Sequence, residues 1–349
     1  MPSLYDADRE ALSVLLAEEP AYRTAQVWSG LHERMLAPHE MTELPKALRE
    51  RLAGALPPAL ELVTERASDN GDTVKFLWRL AGGATVESVL MHYADRSTVC
   101  VSTQAGCAMA CGFCATGQAG FERHLTSGEI VEQVVRAAQR SRDDRDRRVG
   151  NVVFMGMGEP LANYDPVLAA VGRLHHDLGL SARHLTISTV GIIPGIRRLA
   201  AEVLPVNLAV SLHAANDTLR DELVPINKRY PLGPLAAACR DYLAAKNRRL
   251  SFEWALIDGV NDRRSDAFEL AEYCRPLRAH VNLIPLNPTP GWPTTGSSPD
   301  KVDWFRHQLD TLGINATVRK NRGTDIDAAC GQLRANHQVK LRPRPPRPR

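Results

Sequence analysis

Apolar residues recur along this chain in two rhythms, and the change from one to the other divides it. Up to about residue 65 the spacing is helical: Leu12, Leu15 and Leu16 share a face, as do Val27, Leu31 and Met35, while Pro20, Pro38 and Pro45 keep each helix short. This predicts a small helical accessory domain over 1–65. Two β-type runs follow, over 74–80 and 84–92, joined through Gly82-Gly83, a pair that supplies the positive φ of a hairpin turn. They define a β-hairpin extension over 70–95. From about 97 to 320 strand and helix alternate, with candidate strands over 98–103, 151–155, 184–189, 206–212, 250–257 and 281–285 and a last one over 314–319. A helix over 127–140 is predicted to start on Ser127 as its N-cap. Repeated βα units imply a parallel sheet with right-handed crossovers, and about six units imply an incomplete (β/α)6 barrel over 96–333. The fold class is therefore α/β.

Two segments stand outside the rhythm. The insert over 141–148, S-R-D-D-R-D-R-R, reads as a solvated loop of mixed sign. The stretch over 334–349 ends in alternating Pro and Arg, which prevents helix or sheet, and it reads as a basic, disordered tail.

At 349 residues and 44% hydrophobic content the chain can bury a full core, so one catalytic domain with a smaller partner is expected. No apolar run approaches the roughly 20 residues of a membrane span, and nothing near the start reads as a signal peptide. A cytoplasmic protein with no membrane association is expected. The net charge of +3 permits an RNA partner without arguing for one.

The chemistry concentrates at Cys107, Cys111 and Cys114, spaced C-x3-C-x2-C at the exit of a predicted strand. Three thiolates leave one iron of a four-iron, four-sulfur cluster open to a small molecule, whereas a structural zinc site wants four ligands. Zinc remains open if Cys100 or His124 adds the fourth, and the chain would then be a non-catalytic RNA-binding module. Other residues fall at strand ends, where parallel βα folds collect their chemistry. They are Gly158-Glu159, Ser188, Ser211-Leu212-His213 and Asn287. Alone, each reads equally as a turn or a helix cap. Glu87, in the second hairpin strand, reads alone as a solvated carboxylate. Cys330 lies in a polar, glycine-containing loop where a thiol can ionise, while Cys239 and Cys274 lie in helical patterns and read as structural.

The spacing of the three cysteines, with Phe113 before the last, resembles the radical S-adenosylmethionine superfamily. The strings Cys100-Val-Ser-Thr-Gln, Cys114-Ala-Thr-Gly and Gly120-Phe-Glu-Arg123, with D-I-D-A-A-C-G-Q-L around Cys330, are similar to those of the RNA adenine methyltransferases of the RlmN and Cfr type. His124 stands where that family usually shows Asn.

The resemblance implies one cluster on Cys107, Cys111 and Cys114, and S-adenosylmethionine bound by Gly158, Glu159, Ser188, Ser211, Leu212, His213 and Asn287. It implies that Cys330 carries a methyl group, that Cys100 releases the product through a disulfide with Cys330, and that Glu87 accepts a proton. Two S-adenosylmethionine molecules are then used per turnover. The implied product is 2-methyladenosine in 23S rRNA at the peptidyl transferase centre and, for the RlmN type, at the adenosine 3′ to the anticodon of tRNA. Cfr-type methylation at C8 shares all these motifs. A flavodoxin or ferredoxin as electron donor and a monomeric state are expected. Lys228, Arg229, Arg319, Lys320 and Arg322 are candidate phosphate contacts.

Overall fold

A computed structural model describes residues 3–289 and 291–334. Its helices α1 (Arg9–Leu15), α2 (Tyr22–His32) and α3 (Lys46–Ala55) form the predicted helical segment. They bury Leu12, Val27, Leu31, Leu48 and Leu52, the apolar positions of the 3.6-residue period. Asp6, just before α1, accepts a 2.7 Å hydrogen bond from the Gly128 nitrogen, and Arg173 donates to the Ala7 and Asp6 carbonyls at 3.0 and 2.9 Å. The accessory helices are thus tied to the outside of the catalytic unit by polar bonds as well as by core.

Strands β1 (Leu60–Ser68), β2 (Thr73–Leu80) and β3 (Thr85–His92) form an antiparallel meander, and β3 pairs antiparallel with β4 (Ser97–Cys100). A short ribbon, β5 (Gln104–Gly106) with β6 (Phe121–His124), encloses α4 (Ala115–Ala119). The βα run continues through α5 (Ser127–Arg145), β7 (Val149–Phe154), α6 (Tyr164–His176), β8 (Leu185–Thr189), α7 (Ile193–Ala201) and β9 (Asn207–Ser211). It closes with α8 (Asp217–Leu223), α9 (Leu232–Lys246), β10 (Leu250–Leu256), α10 (Arg264–Cys274), β11 (His280–Pro285), α11 (Pro299–Thr311) and β12 (Ala316–Val318). In the described residues the main sheet runs β1-β2-β3-β4-β7-β8-β9-β10-β11-β12, all parallel from β4 onward. The first and last parallel strands do not meet, which is the expected incomplete barrel.

Four local expectations need correction. The hairpin over 70–95 is present, with Gly82 and Gly83 at φ +89° and +92°, but β1 makes it three-stranded. That strand lies at the sheet edge with most of L-E-L-V-T-E-R-A-S exposed, so no buried alternation marked it. The first parallel strand stops at Cys100 rather than 103. The N-cap of α5 is Thr126, not Ser127: its hydroxyl accepts from the Glu129 nitrogen while the Glu129 carboxylate accepts from the Thr126 nitrogen. The insert over 141–148 is no loop at its start, since α5 runs to Arg145 and Ser141 is buried. The Pro/Arg-rich tail lies, from 335 on, outside the described residues.

Candidate active site

The strand ends deliver their side chains to one cavity of about 190 Å³ at the C-terminal face of the parallel sheet. Cys100, Cys107, Cys111, Cys114, Gly158, Glu159, Ser188, Ser211, His213, Asn287 and Cys330 all line it. Two predicted residues do not. Leu212 is fully buried behind the wall, its nitrogen bonded to the Glu253 carbonyl. Glu87 is buried, not solvated, with one carboxylate oxygen 3.0 Å from the Lys75 ammonium and the other accepting from the Arg334 nitrogen at 2.9 Å.

The three-cysteine loop hangs between β5 and α4, anchored by Cys107 N to Gly120 O (2.8 Å) and Cys114 N to Cys111 O (3.2 Å). A second loop covers it. Gln118 binds the Gly112 carbonyl and the Thr289 hydroxyl at 2.7 and 3.2 Å, and Trp292 packs over Gly112 so closely that any Cβ there would stand 2.4 Å from the indole. Among the described residues no three Cys, His, Asp or Glu side chains are gathered round a single-ion position. The donor set itself decides the fit. Burial pushes the Cys107 thiol up to about 12 and Cys111 well above its ordinary value, and each neighbouring cysteine pushes further. Thiols buried like these two are held as thiolates only by a compensating cation, and the all-cysteine donor set of Cys107, Cys111 and Cys114 suits an iron–sulfur cluster.

Next to these cysteines the second strand end is fixed in detail. Gly158 has φ +101°, and a Cβ there would meet Gln104 at 2.6 Å. Gln104 in turn accepts from the Glu159 nitrogen at 2.8 Å. The Glu159 carboxylate accepts from the nitrogens of Leu161 (3.0 Å) and Val190 (2.9 Å) and from the Thr189 hydroxyl. A carboxylate has about four acceptor positions, so one is left for a ligand. Burial outweighs these donors and pushes Glu159 up to about 7.

His213 sits at φ +60°, and its Nδ1 accepts from the Ala255 nitrogen at 2.9 Å, which assigns the proton to Nε2. Burial, then the nearby Arg220 charge, lowers its pKa to about 3. A neutral imidazole with a fixed tautomer thus faces the cavity, and Phe113 packs edge-on against it at 4.8 Å.

Cys330 reaches the cavity on a strap, residues 323–334, that is bonded to several elements around it. Asn287 donates to the Cys330 carbonyl (3.0 Å), Ala115 N to Gly331 O (2.8 Å), the Thr116 hydroxyl to Leu333 O (2.5 Å) and Lys75 to Asp327 O (3.2 Å). Cys330 is half-exposed, whereas Cys100 is buried and pushed up to about 12, first by burial and then by the Cys330 thiol nearby. Cys239 and Cys274 are fully buried elsewhere, as their helical patterns indicated.

Of the candidate phosphate contacts, Arg319, Lys320 and Arg322 line the cavity, while Lys228 and Arg229 are exposed away from its wall. Arg319 is held 3.9 Å from Glu253 and 3.6 Å from the Met155 sulfur, and its pKa is raised, first by the nearby Cys330 sulfur. Sequence patterns had given no role to Lys75, Gln104, Arg220, Glu253 or Trp292. Only Gln104 carried a signal, through its place in the C-V-S-T-Q string.

The chain is similar to known proteins. The model of the radical SAM superfamily matches residues 101–271. A probable dual-specificity RNA methyltransferase RlmN of Chloroflexus aurantiacus is 51% identical over 353 residues, spanning 97% of this chain and 94% of its own length. Another, of Frankia casuarinae, is 52% identical over 340 residues, 94% of this chain and 80% of its own. The crystal structure of a radical SAM methyltransferase from Sphaerobacter thermophilus matches with a TM-score of 0.93 at 49% identity, covering 96% of this chain and 100% of that one.

Proposed function

From the premise that the chain belongs to the RlmN family of radical SAM RNA methyltransferases, we propose that it methylates C2 of an adenosine in 23S rRNA and of the adenosine 3′ to the anticodon in tRNA. The family implies a 4Fe-4S cluster and S-adenosylmethionine. Cys107, Cys111 and Cys114 hold the cluster, and Gly158, Glu159, Ser188, Ser211, His213 and Asn287 form the cofactor's pocket, with Leu212 setting the backbone from behind. Bound there, cluster and cofactor supply a 5′-deoxyadenosyl radical.

The rest of the chemistry falls to the chain's own thiols. Cys330 accepts a methyl group from a first S-adenosylmethionine and presents that thioether to the cavity; a second molecule is consumed per turnover. The methyl carbon loses a hydrogen atom and adds to the adenine ring, so that RNA is bonded to Cys330. Glu87 takes a proton from the adduct. For this its bond to the Arg334 nitrogen must open, because that nitrogen occupies the carboxylate oxygen that Lys75 does not. Cys100 then attacks the Cys330 sulfur and the carbon–sulfur bond breaks; the adduct returns its unpaired electron to the cluster site, the freed carbon takes a proton to become the methyl group, and a transient disulfide is left for the electron donor to reduce. An adenine must leave its stack to reach such a site, and Lys320 and Arg322 on the rim meet its phosphates. A flavodoxin- or ferredoxin-like donor supplies electrons to a monomer in the cytoplasm. No helix of the described residues is long and apolar enough to cross a membrane.

The observation that carries this reading is the convergence of Cys100 and Cys330 on the wall that also bears the three cluster cysteines. Mass spectrometry of nucleosides from rRNA and tRNA treated with the anaerobically reconstituted enzyme tests it. Methyl groups at C2 in both RNAs are expected; methyl at C8, or in neither RNA, overturns it.

A further inference from the structure

Glu253, on β10, has no part in that chemistry, and one of its carboxylate oxygens is unaccounted for. Oε1 accepts from the Asn282 amide at 2.8 Å and from the Ser251 hydroxyl at 3.2 Å. Oε2 is buried and has no hydrogen-bond partner among the described residues. Nη1 of Arg319 stands 3.9 Å from it, too far for a hydrogen bond. A buried acceptor without a donor is costly, and in a residue that lines a cavity the missing donor is expected from a ligand.

Arg319 is in a similar state. Among the described residues its guanidinium makes one hydrogen bond, from Nη1 to the Met155 sulfur at 3.6 Å, a weak acceptor. Backbone register locates the pair. Glu253 lies beside Asn282 of β11, and the Arg319 nitrogen donates to the Leu283 carbonyl at 2.8 Å. Cys330 is held further along the same direction, its carbonyl on Asn287, beyond the end of β11. Met155 follows Val153, the register partner of Cys100. An acceptor and a donor therefore stand side by side in the wall that also bears Cys100 and Cys330, and deeper along the strands than Cys330.

We propose that Glu253 and Arg319 read the target adenine: the unpaired Glu253 oxygen accepts from its 6-amino group, and the Arg319 guanidinium donates to its N1. This deepens the function proposed above and rests on it. A base that enters with its sugar outside leads with the edge far from N9, which carries C2, N1 and the amino group in that order, and flipped bases are commonly read on that edge. With C2 at the Cys330 thioether, N1 and the amino group reach past it toward the pair. A 6-oxo purine in the same pose would set its oxygen against the carboxylate and its N1–H against the guanidinium, so the pair rejects guanine as well as holding adenine. The cofactor suits the place less well, because its sulfonium would face a guanidinium of like charge.

The test pairs enzyme variants with altered bases. Anaerobically reconstituted enzyme is given tRNA assembled by ligation with adenosine, purine riboside, which lacks the amino group, or 1-deazaadenosine, which lacks N1, at the target position. Methyl transfer is followed as kcat/KM, and S-adenosylmethionine affinity is measured by equilibrium dialysis. With wild type each deletion is expected to lower kcat/KM by at least about tenfold. Glu253→Met should lose most of its activity on adenosine and then be indifferent to the amino group, within about threefold. Arg319→Met should be indifferent to N1 in the same way, and both variants should bind S-adenosylmethionine as wild type does. Wild type indifferent to the amino group, or Glu253→Met as sensitive to it as wild type, overturns the proposal. A fall in cofactor affinity with base discrimination unchanged also overturns it and gives the pair to the cofactor. If circular dichroism shows Glu253→Met unfolded, Arg319→Met decides, and a loss on 1-deazaadenosine equal to that of wild type overturns the proposal. Wild type that methylates no adenosine removes the proposed function and this reading together, whereas lost discrimination with methylation intact removes this reading alone.

Discussion

Glu87 and Lys75 form an ion pair at 3.0 Å with side chains only 3% and 7% exposed, on neighbouring antiparallel strands. Lys75 also donates to the Asp327 carbonyl at 3.2 Å. One lysine thus holds both the proposed proton acceptor and the strap that carries Cys330. Removing one partner of a buried pair leaves the other charge uncompensated, so Lys75→Met should destabilise the fold by roughly 3 kcal/mol, read as a lowered denaturant midpoint. The Lys75→Met/Glu87→Gln double variant should recover most of it. A Lys75→Met protein as stable as wild type would contradict the buried pair.

The two cavity cysteines outside the cluster loop should fail differently. Cys330→Ala is expected to give no methylated RNA and no covalent complex, with cluster and cofactor binding intact. Cys100→Ala should stall with RNA bonded to Cys330, seen as a nuclease-sensitive shifted band on a denaturing gel. Full turnover by Cys100→Ala would remove thiol release from the mechanism.

Glu159 gives the site a pH dependence. Its carboxyl is raised from an ordinary 4.5 to about 7 in the folded chain, so the folded state holds the proton more tightly than the unfolded one. That contribution to stability is fully present below about pH 4.5 and is lost as pH rises through about 7. Cofactor binding should run the other way, because only the carboxylate pairs with an ammonium. Affinity for S-adenosylmethionine should rise about tenfold per pH unit up to that value and then level off. Calorimetric titration at several pH values checks this, with Glu159→Gln showing a flat profile; a sloping Glu159→Gln profile would assign the effect to another group.

Gly112 is expected to tolerate no side chain, since its Cβ would sit 2.4 Å from the Trp292 ring. Gly112→Ala should lower the iron retained after reconstitution to less than half of wild type, and Trp292→Ala in the same chain should restore it. Iron and sulfide analysis measures both; undiminished iron in Gly112→Ala would mean that the covering loop yields freely.

Much of this was legible in the chain because it is local. The strand ends that carry Gly158, Ser188, Ser211 and Asn287 follow β runs whose period is visible in sequence, and a parallel sheet puts such ends together. Lys75 and Glu87 were not legible as a pair: each reads alone as a charge on a solvated strand face, whereas the fold buries both strands almost throughout, and the strap that bonds to both arrives some 250 residues later. Arg220 in D-T-L-R-D-E-L looks like one more charge on a wet helix, and only the fold shows it facing inward. The edge strand β1 escaped because its exposed side chains carry no burial pattern.

The strap has a consequence for how the enzyme is made. Its bonds to Thr116, Glu87, Lys75 and Ser68 span 217 to 257 residues of sequence. Contacts so distant form last in folding, and on the ribosome the thiol at 330 emerges after every strand of the barrel. A nascent or truncated chain can therefore complete the cysteine loop and the cofactor shelf while still lacking the thiol proposed to accept the methyl group. The order of synthesis leaves the means of making a radical in place before its target, and protects the unfinished chain only while no electron reaches it.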